Sequence, residues 1–328
     1  MKRIFVLAGV IISSFALFGP VQSGDANPSV ARLHFGSLTH SQSQLRVAMV
    51  RLSAKSAADS RTVGDTLAQA LGRDQRVSLT EASMIEPALK ALSYDGSINM
   101  STGEARRLAS AIGCDFFVIG KTEGLTRSER EGESHEEAYA GIMLVDARSG
   151  SLVSFDFVSE KASTRDAALG GVVNKINSRA AGYVDQLIQF RLSVLTLPLK
   201  TSGDSSRNDS IEDIPDEASS RAKEFKPPQF LNRVKPEYTR EAELADITAT
   251  VEAKVVFRSV GEVGNIEITR WAGFGLENSA MRAIRQLKFK PATRDGKPVS
   301  VRAVVRYNFR RVAAARTQAQ IRTDIFHS

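Results

Sequence analysis

The clearest pattern in the chain lies near its C-terminal end. From Ile247 to Arg258 the odd positions Ile247, Ala249, Val251, Ala253, Val255 and Phe257 are apolar, and most even ones are polar. Val299 to Phe309 repeats the pattern, with Val299, Val301, Ala303, Val305, Tyr307 and Phe309 on one face and Ser300, Arg302, Arg306 and Asn308 on the other. Strict period-two alternation predicts antiparallel strands with one covered face and one wet face. Asn265 to Trp271 predicts another strand after a turn at Gly261. Leu276, Ala280, Ala283, Ile284 and Leu287 trace the apolar face of a helix that can cover the dry side. The order strand, strand, helix, strand describes a small antiparallel sheet covered by a helix.

Upstream, strands and helices interleave. Gln44 to Leu52 reads as a strand, Ala57 to Leu71 as a helix, Arg76 to Thr80 as a short strand and Glu81 to Leu92 as a second helix. Ser101-Thr102-Gly103-Glu104 has the spacing of a capping box and predicts a helix to Ile112. Asp115 to Gly120 is an apolar run of strand length. Glu137 to Val145 and Ser151 to Ser159 flank the turn sequence Asp146-Ala147-Arg148-Ser149-Gly150 and predict a hairpin. Ser163 to Asp166 caps a long helix on which Leu169, Val172, Val173, Ile176, Ala180, Val184, Leu187 and Ile188 keep helical spacing. Residues 40–195 therefore read as an α/β domain.

Between the two patterned regions, residues 196–225 form a polar linker, its core from Thr201 to Glu224 rich in Ser, Asp, Glu and Arg. As a coil of that length it would span ~25–30 Å. Residues 313–328 read as a flexible tail. At the other end, Lys2 and Arg3 precede an apolar run from Ile4 to Phe18, followed by small residues up to Ala26. A basic start, an apolar stretch and small residues predict an export leader over 1–26, cleaved after Ser23 or Ala26. The apolar run falls short of the roughly twenty residues that span a bilayer comfortably, and an uncleaved anchor is the second choice.

Composition narrows the chemistry. The 42% hydrophobic and 25% charged residues suit ordinary folded domains. The formal net charge of +7 falls in the C-terminal domain, where nucleic acid, anionic lipid, an acidic peptide or a plain solvated face are the options. The basic residues lack interleaved aromatics, which argues against nucleic acid. The single cysteine, Cys114, sits in an apolar strand-like run and reads as a small buried hydrophobe. His34, His40, His135 and His327 are scattered without metal-ligand spacing. Glu129, Glu131, Glu133, Glu136 and Glu137 around His135 read as a solvated acidic loop. No nucleophile elbow, P-loop or dinucleotide fingerprint is present, so no catalytic residue, cofactor or metal is assigned.

Several short motifs then line up with a known family. Leu231-Asn232-Arg233-Val234-Lys235-Pro236-Glu237-Tyr238-Thr239-Arg240-Glu241-Ala242 resembles the lead-in motif of TonB C-terminal domains. Gly261-Glu262-Val263 resembles that family's first turn, and Gly275-Leu276 with Ala280 and Ala283 its helix. Leu287-Lys288-Phe289-Lys290-Pro291-Ala292 and Asp295-Gly296-Lys297-Pro298-Val299 resemble its last two signatures. Residues 226–312 are thus similar to a TonB C-terminal domain. Thr239 stands where the family usually has proline, the first strand lacks the usual Gly-x-Val start, the leader has no histidine, and the linker's core from Thr201 to Glu224 has a single proline, Pro215. Residues 40–195 more loosely resemble the TolB N-terminal, CsgG and LpoB group of envelope domains, through Leu45 to Val50, Asp65 to Leu71, Gly113 to Gly120 and the hairpin.

The resemblance implies a periplasmic envelope protein, with an inner-membrane-anchored form as the second choice. Its implied action is to bind a peptide segment of an outer-membrane TonB-dependent receptor by strand addition, in support of energised transport. Val301, Arg302, Val304 and Arg306 on the last strand, and Lys235, Pro236 and Tyr238 in the lead-in motif, are the expected peptide-binding residues. Arg302 and Arg306 would favour an acidic segment. ExbB/ExbD-type motor proteins and a homo-oligomer stay open as partners. The rival reading is a scaffold that uses the same domain for protein binding without energy transduction.

Overall fold

The computed structural model describes residues 44–128, 134–196, 211–215 and 224–311. The expected leader, the tail and most of the linker lie outside the described residues, as do Glu129, Glu131, Glu133 and all histidines but His135. The first half comprises β1 (Leu45–Met49), α1 (Ala57–Gly72), β2 (Val77–Leu79), α2 (Ala82–Ala91), β3 (Met100–Ser101), α3 (Thr102–Ile112), β4 (Phe116–Ser128), β5 (Ser134–Asp146), β6 (Leu152–Ala162) and α4 (Arg165–Thr196). Five strands form a mixed sheet in the order β2-β1-β4-β5-β6, with β1 parallel to β2 and β4 and the β4–β6 ladder antiparallel.

Local chemistry fixes the helix ends. The Asp59 N–H donates to the Ser56 hydroxyl at 3.2 Å, capping α1. The capping box of α3 is complete, with the Glu104 N–H donating to Ser101 Oγ and the Ser101 N–H to Glu104 Oε2 at 2.7 Å. Gly113 ends α3 at φ 78°, a left-handed conformation that glycine adopts freely. The strand expected to stop at Gly120 continues to Ser128 and pairs with β5 throughout. Polar Lys121, Thr122, Glu123 and Thr126 hide that extension from an apolar-run reading.

The second half comprises β7 (Ile211–Asp213), β8 (Phe225–Lys226), β9 (Gln229–Phe230), α5 (Arg240–Leu244), β10 (Ala249–Phe257), β11 (Val263–Trp271), α6 (Leu276–Arg285), β12 (Phe289–Lys290), β13 (Ala292–Arg294) and β14 (Lys297–Phe309). The fold class is mixed α/β, and β11, β10 and β14 form the expected antiparallel sheet. The alternation places Val251, Val255, Phe257, Val301, Val305 and Tyr307 inside with Leu276, Ala280 and Ile284 of α6.

The two halves share a core. One face of the first sheet packs on α1 and α4, around Val47, Leu67, Val118, Ile142, Val172 and Leu187. Phe117, Tyr139, Met143 and Val145 on the opposite face join a continuous cluster with Leu108 and Ile112 of α3 and with Val251, Trp271 and Phe274. Strand β3 lengthens the second sheet by pairing with β11 at Arg270 and Trp271. The buried Trp271 indole N–H donates to Gly150 O at 2.9 Å. Phe274 lies against Phe155, with ring centroids 4.9 Å apart, and over Gly141, where a Cβ would meet its ring at 2.8 Å. Phe274 holds φ 56° between Gly273 and Gly275, both also left-handed. That conformation costs about 1–2 kcal/mol for an L-residue, whereas burying a phenylalanine stabilises by about 1.5–3 kcal/mol. The packing therefore offsets the backbone cost.

Candidate strand-docking edge

Strand β14 is the longest of the second sheet, and its two flanks differ. Toward β10 it is paired from Ala249↔Phe309 to Phe257↔Val301. Its first residues pair with β13, as Ala292↔Val299, Thr293↔Pro298 and Arg294↔Lys297. A third partner, β7, runs parallel to it with Ser300↔Ile211, Val301↔Glu212 and Arg302↔Asp213. Val301 and Arg302 pair with both β10 and β7, so β7 occupies the flank opposite β10. Beyond it, along 303–309, no strand among the described residues pairs on that flank.

The strand expected to take a peptide at Val301 and Arg302 is therefore already paired at those two positions by a segment of this chain. A piece of the polar linker sits there, held by charge as well as backbone. The Arg294 guanidinium approaches Glu212 Oε2 at 2.6 Å, and Arg302 Nη1 approaches Asp213 Oδ1 at 3.2 Å. Both ion pairs cross from the linker to the sheet. Sequence reading missed β7 because three residues of strand inside a Ser/Asp/Glu-rich stretch give no periodicity. The available signal was the pair Ile211 and Ile214 flanking two acids in an otherwise polar segment.

The expected binding residues separate into two groups. Val301 is fully buried and serves the core, Arg302 is exposed, and Val304 is half-buried opposite Lys254. Arg306 does not stand out from the sheet as a cation awaiting an acid, because its Nε donates to Glu252 Oε1 of the neighbouring strand at 2.8 Å. In the lead-in segment Lys235 is exposed and Pro236 half-buried. The Tyr238 hydroxyl donates inward, reaching Ile247 O at 2.7 Å and Ala242 O at 3.1 Å. Burial pushes its phenol up to about 12, so it titrates far above neutrality. Tyr238 therefore staples α5 to the start of β10. That is the Phe309 end of the β10–β14 ladder, while β7 lies at the Ser300 end.

Thr239, the departure from the family pattern, has a local purpose. Its hydroxyl accepts the Ala242 N–H at 3.3 Å to cap α5 and donates to Phe274 O at 2.5 Å. The other end of α5 is held by the first sheet, where Lys121 Nζ donates to Ala245 O at 2.7 Å and Arg127 Nη2 to Leu244 O at 3.1 Å. Cations at a helix C-terminus satisfy its unpaired carbonyls and oppose its dipole. Burial holds the Lys121 amine below its ordinary value, with Glu123 and Asp246 pulling the other way. Elsewhere, Cys114 is buried and its thiol pushed up to about 11 by burial, which leaves it a poor nucleophile at neutral pH.

An antiparallel sheet covered by one helix, with a long last strand and a capped lead-in helix, defines a small sheet-edge domain. Residues 234–310 match the family model described as the Gram-negative bacterial TonB protein C-terminal, within the segment that resembled it by motif. Among solved structures, the Pseudomonas aeruginosa TonB C-terminal domain is similar at 20% identity, covering 32% of this chain and 98% of that one, with a TM-score of 0.24. The LpoB C-terminal domain from Salmonella enterica is similar at 11% identity, covering 36% and 82%, with a TM-score of 0.27. The lipoprotein GNA1162 from Neisseria meningitidis is similar at 15% identity, covering 42% and 99%, with a TM-score of 0.31. No curated protein matches the chain. Among the described residues no helix is long and apolar enough to cross a membrane.

Proposed function

We propose that this chain is a non-enzymatic envelope protein of the periplasm whose C-terminal sheet accepts an extended peptide at the edge of β14, along 303–309. The observation that carries this reading is the β14 flank itself, which takes up one strand, β7, and continues regular beyond it. A sheet edge without a strand partner among the described residues offers a row of N–H and C=O groups to an incoming chain, and strand addition draws its affinity from those groups. The match of residues 234–310 to TonB C-termini supports an outer-membrane receptor segment as the peptide, and energised transport as the process served.

The scaffold reading is favoured by a different observation. The C-terminal sheet is tied to the α/β half through β3, Trp271 and Phe274, so the domain does not swing free on a tether. In that reading the same edge binds a structural partner and no energy passes through it.

Successive N–H groups along a strand face opposite flanks. Proline placed singly at Ala303 and at Val304 therefore removes one donor from each flank. Circular dichroism identifies the variant that folds like the parent, whose lost N–H faces outward. That variant is expected to lose binding to a synthetic peptide from the plug N-terminus of an outer-membrane receptor. Parent-like binding by the folded variant overturns docking at this edge.

A further inference from the structure

We infer that Ile211–Asp213 is an intrachain stand-in for the docking strand, a displaceable plug whose Ile-Glu-Asp sequence reports the chemistry of the partner that replaces it. The inference rests on the strand-docking reading above and adds its regulation and its ligand class.

Three features separate β7 from an ordinary structural strand. First, it is short and shallow. Ile211 is 47% exposed, and the Asp213 side chain 79% exposed. Ion pairs as exposed as Arg302–Asp213 contribute little to stability, and against the entropy of fixing the segment its apolar contribution comes from the half-exposed Ile211 and from Ile214, which packs at the margin of the core. Secondly, it is sequence-terminated. Continued in parallel register, Ile214 would face Ala303 and Pro215 would face Val304. Proline has no N–H to give a ladder, and the strand stops after Asp213. The same flank along 303–309 has no strand partner among the described residues.

Thirdly, the contacts are those of recognition. Glu212 takes two bonds from Arg294, from Nε at 2.8 Å and Nη2 at 2.6 Å, and Asp213 meets Arg302. An incoming strand in this register needs an acidic residue at each of these two successive positions. Without a proline two residues later, it could run on toward Phe309 and gain ladder bonds that β7 cannot make. The partner chemistry is therefore an extended acidic segment with adjacent carboxylates, longer than the plug. It competes with the plug at Ser300 to Arg302.

The test uses the full chain and a variant carrying Glu212→Arg and Asp213→Arg, which repels the plug from Arg294 and Arg302 and leaves β14 unaltered. The probe is a synthetic peptide copying residues 209–217, Asp-Ser-Ile-Glu-Asp-Ile-Pro-Asp-Glu. Amide exchange is expected to quicken at least tenfold in the variant at those of Ser300, Val301 and Arg302 whose N–H faces β7, and to stay slow where the N–H faces β10. The peptide is expected to bind the variant at least tenfold more tightly than the parent and to restore the slow exchange, with the gain shrinking as salt rises. Unchanged exchange in the variant overturns the plug. Quickened exchange without peptide binding overturns the claim that the site takes this strand in trans. A receptor peptide that binds parent and variant equally at Ala303 to Phe309 leaves the docking edge standing and removes only its regulation.

Discussion

Asn99 and Thr250 pair as if the side chain of one were the backbone of a neighbouring strand. The Thr250 N–H donates to Asn99 Oδ1 at 2.9 Å, and Asn99 Nδ2 returns a bond to Thr250 O at 2.8 Å. The same amide nitrogen reaches Trp271 O at 2.7 Å, and Arg270 Nη1 donates to Asn99 O at 3.0 Å. A single carboxamide thus ties the loop before β3 to β10 and β11. Asn99→Ala strips partners from three backbone groups in a half-buried seam and should cost about 1–3 kcal/mol. Asn99→Asp keeps the acceptor but sets a carboxylate against two carbonyls, and should cost at least as much at neutral pH. Trp271 is the only tryptophan and lies in the seam, so urea titration followed by its fluorescence reads both variants.

The shared core changes what proteolysis should yield. Cleavage is expected between residues 197 and 223, where the polar linker lies, and would leave an α/β fragment and a C-terminal fragment. With Phe117, Tyr139 and Met143 in one cluster with Trp271 and Phe274, the nicked fragments should co-elute in native buffer and separate only in denaturant. Clean separation on a native sizing column would contradict the common core.

The strands and helices that carry their own periodicity were readable from sequence. β10 and β14 alternate, α6 keeps its apolar stripe, and the α3 box is spelled out by Ser101 and Glu104. What escaped was long-range. Nothing in Asn99 marks it as a partner of Thr250, 151 positions away. Trp271 reads as the end of a strand, with no hint of its bond to Gly150. At the edge, the sequence showed the arginines but not their partners, because Glu252, Glu212 and Asp213 come from other strands. Charge on a wet face cannot be judged free until its cross-strand neighbours are known.

Phe274 and Gly273 test the same seam by packing. Phe274→Ala removes a fully buried ring between Phe155 and Gly141 and should cost roughly 3–5 kcal/mol, as large-to-small core changes of this kind do. Gly273→Ala keeps the ring, but its Cβ would lie 2.3 Å from Met143 Cε at φ 72°. The methionine end can move while the backbone cost stays, so about 1–2 kcal/mol is expected. Thermal midpoints should fall for both, and further for Phe274→Ala. The reverse order would mean the strained turn, not the ring, governs the junction.

Glu104 gives the seam an acid limb. Burial raises its carboxyl, but bonds from the Ser101 N–H and hydroxyl, with the Arg270 guanidinium at 3.2 Å, outweigh that and hold it below the usual carboxylate range. A depressed folded value favours the native state above the unfolded value of about 4.3 and loses that contribution as pH falls. Glu104→Gln keeps an acceptor for the cap but has no carboxylate to protonate. Parent stability should therefore drop more steeply than the variant's between pH 6 and pH 3. Parallel curves would show that Glu104 titrates alike in the folded and unfolded chain.

Tyr307 separates the core face of β14 from its edge. The ring is 1% exposed opposite Val251, and its hydroxyl has no hydrogen-bond partner among the described residues. Burial alone pushes the phenol up to about 12, so the group is neutral and desolvated across the working range. A buried hydroxyl without a partner carries a desolvation cost of about 1–3 kcal/mol, and replacing it by a hydrogen of the same ring relieves that cost. Tyr307→Phe should therefore fold with equal or greater stability, by up to about 1 kcal/mol in denaturant titration. Because the side chain points away from the wet face and the backbone is unchanged, affinity for the receptor peptide should stay within twofold of the parent. A stability loss above about 1 kcal/mol would reveal a partner for the hydroxyl in solution. Lost binding with intact stability would move the docking surface from the strand edge to the covered face.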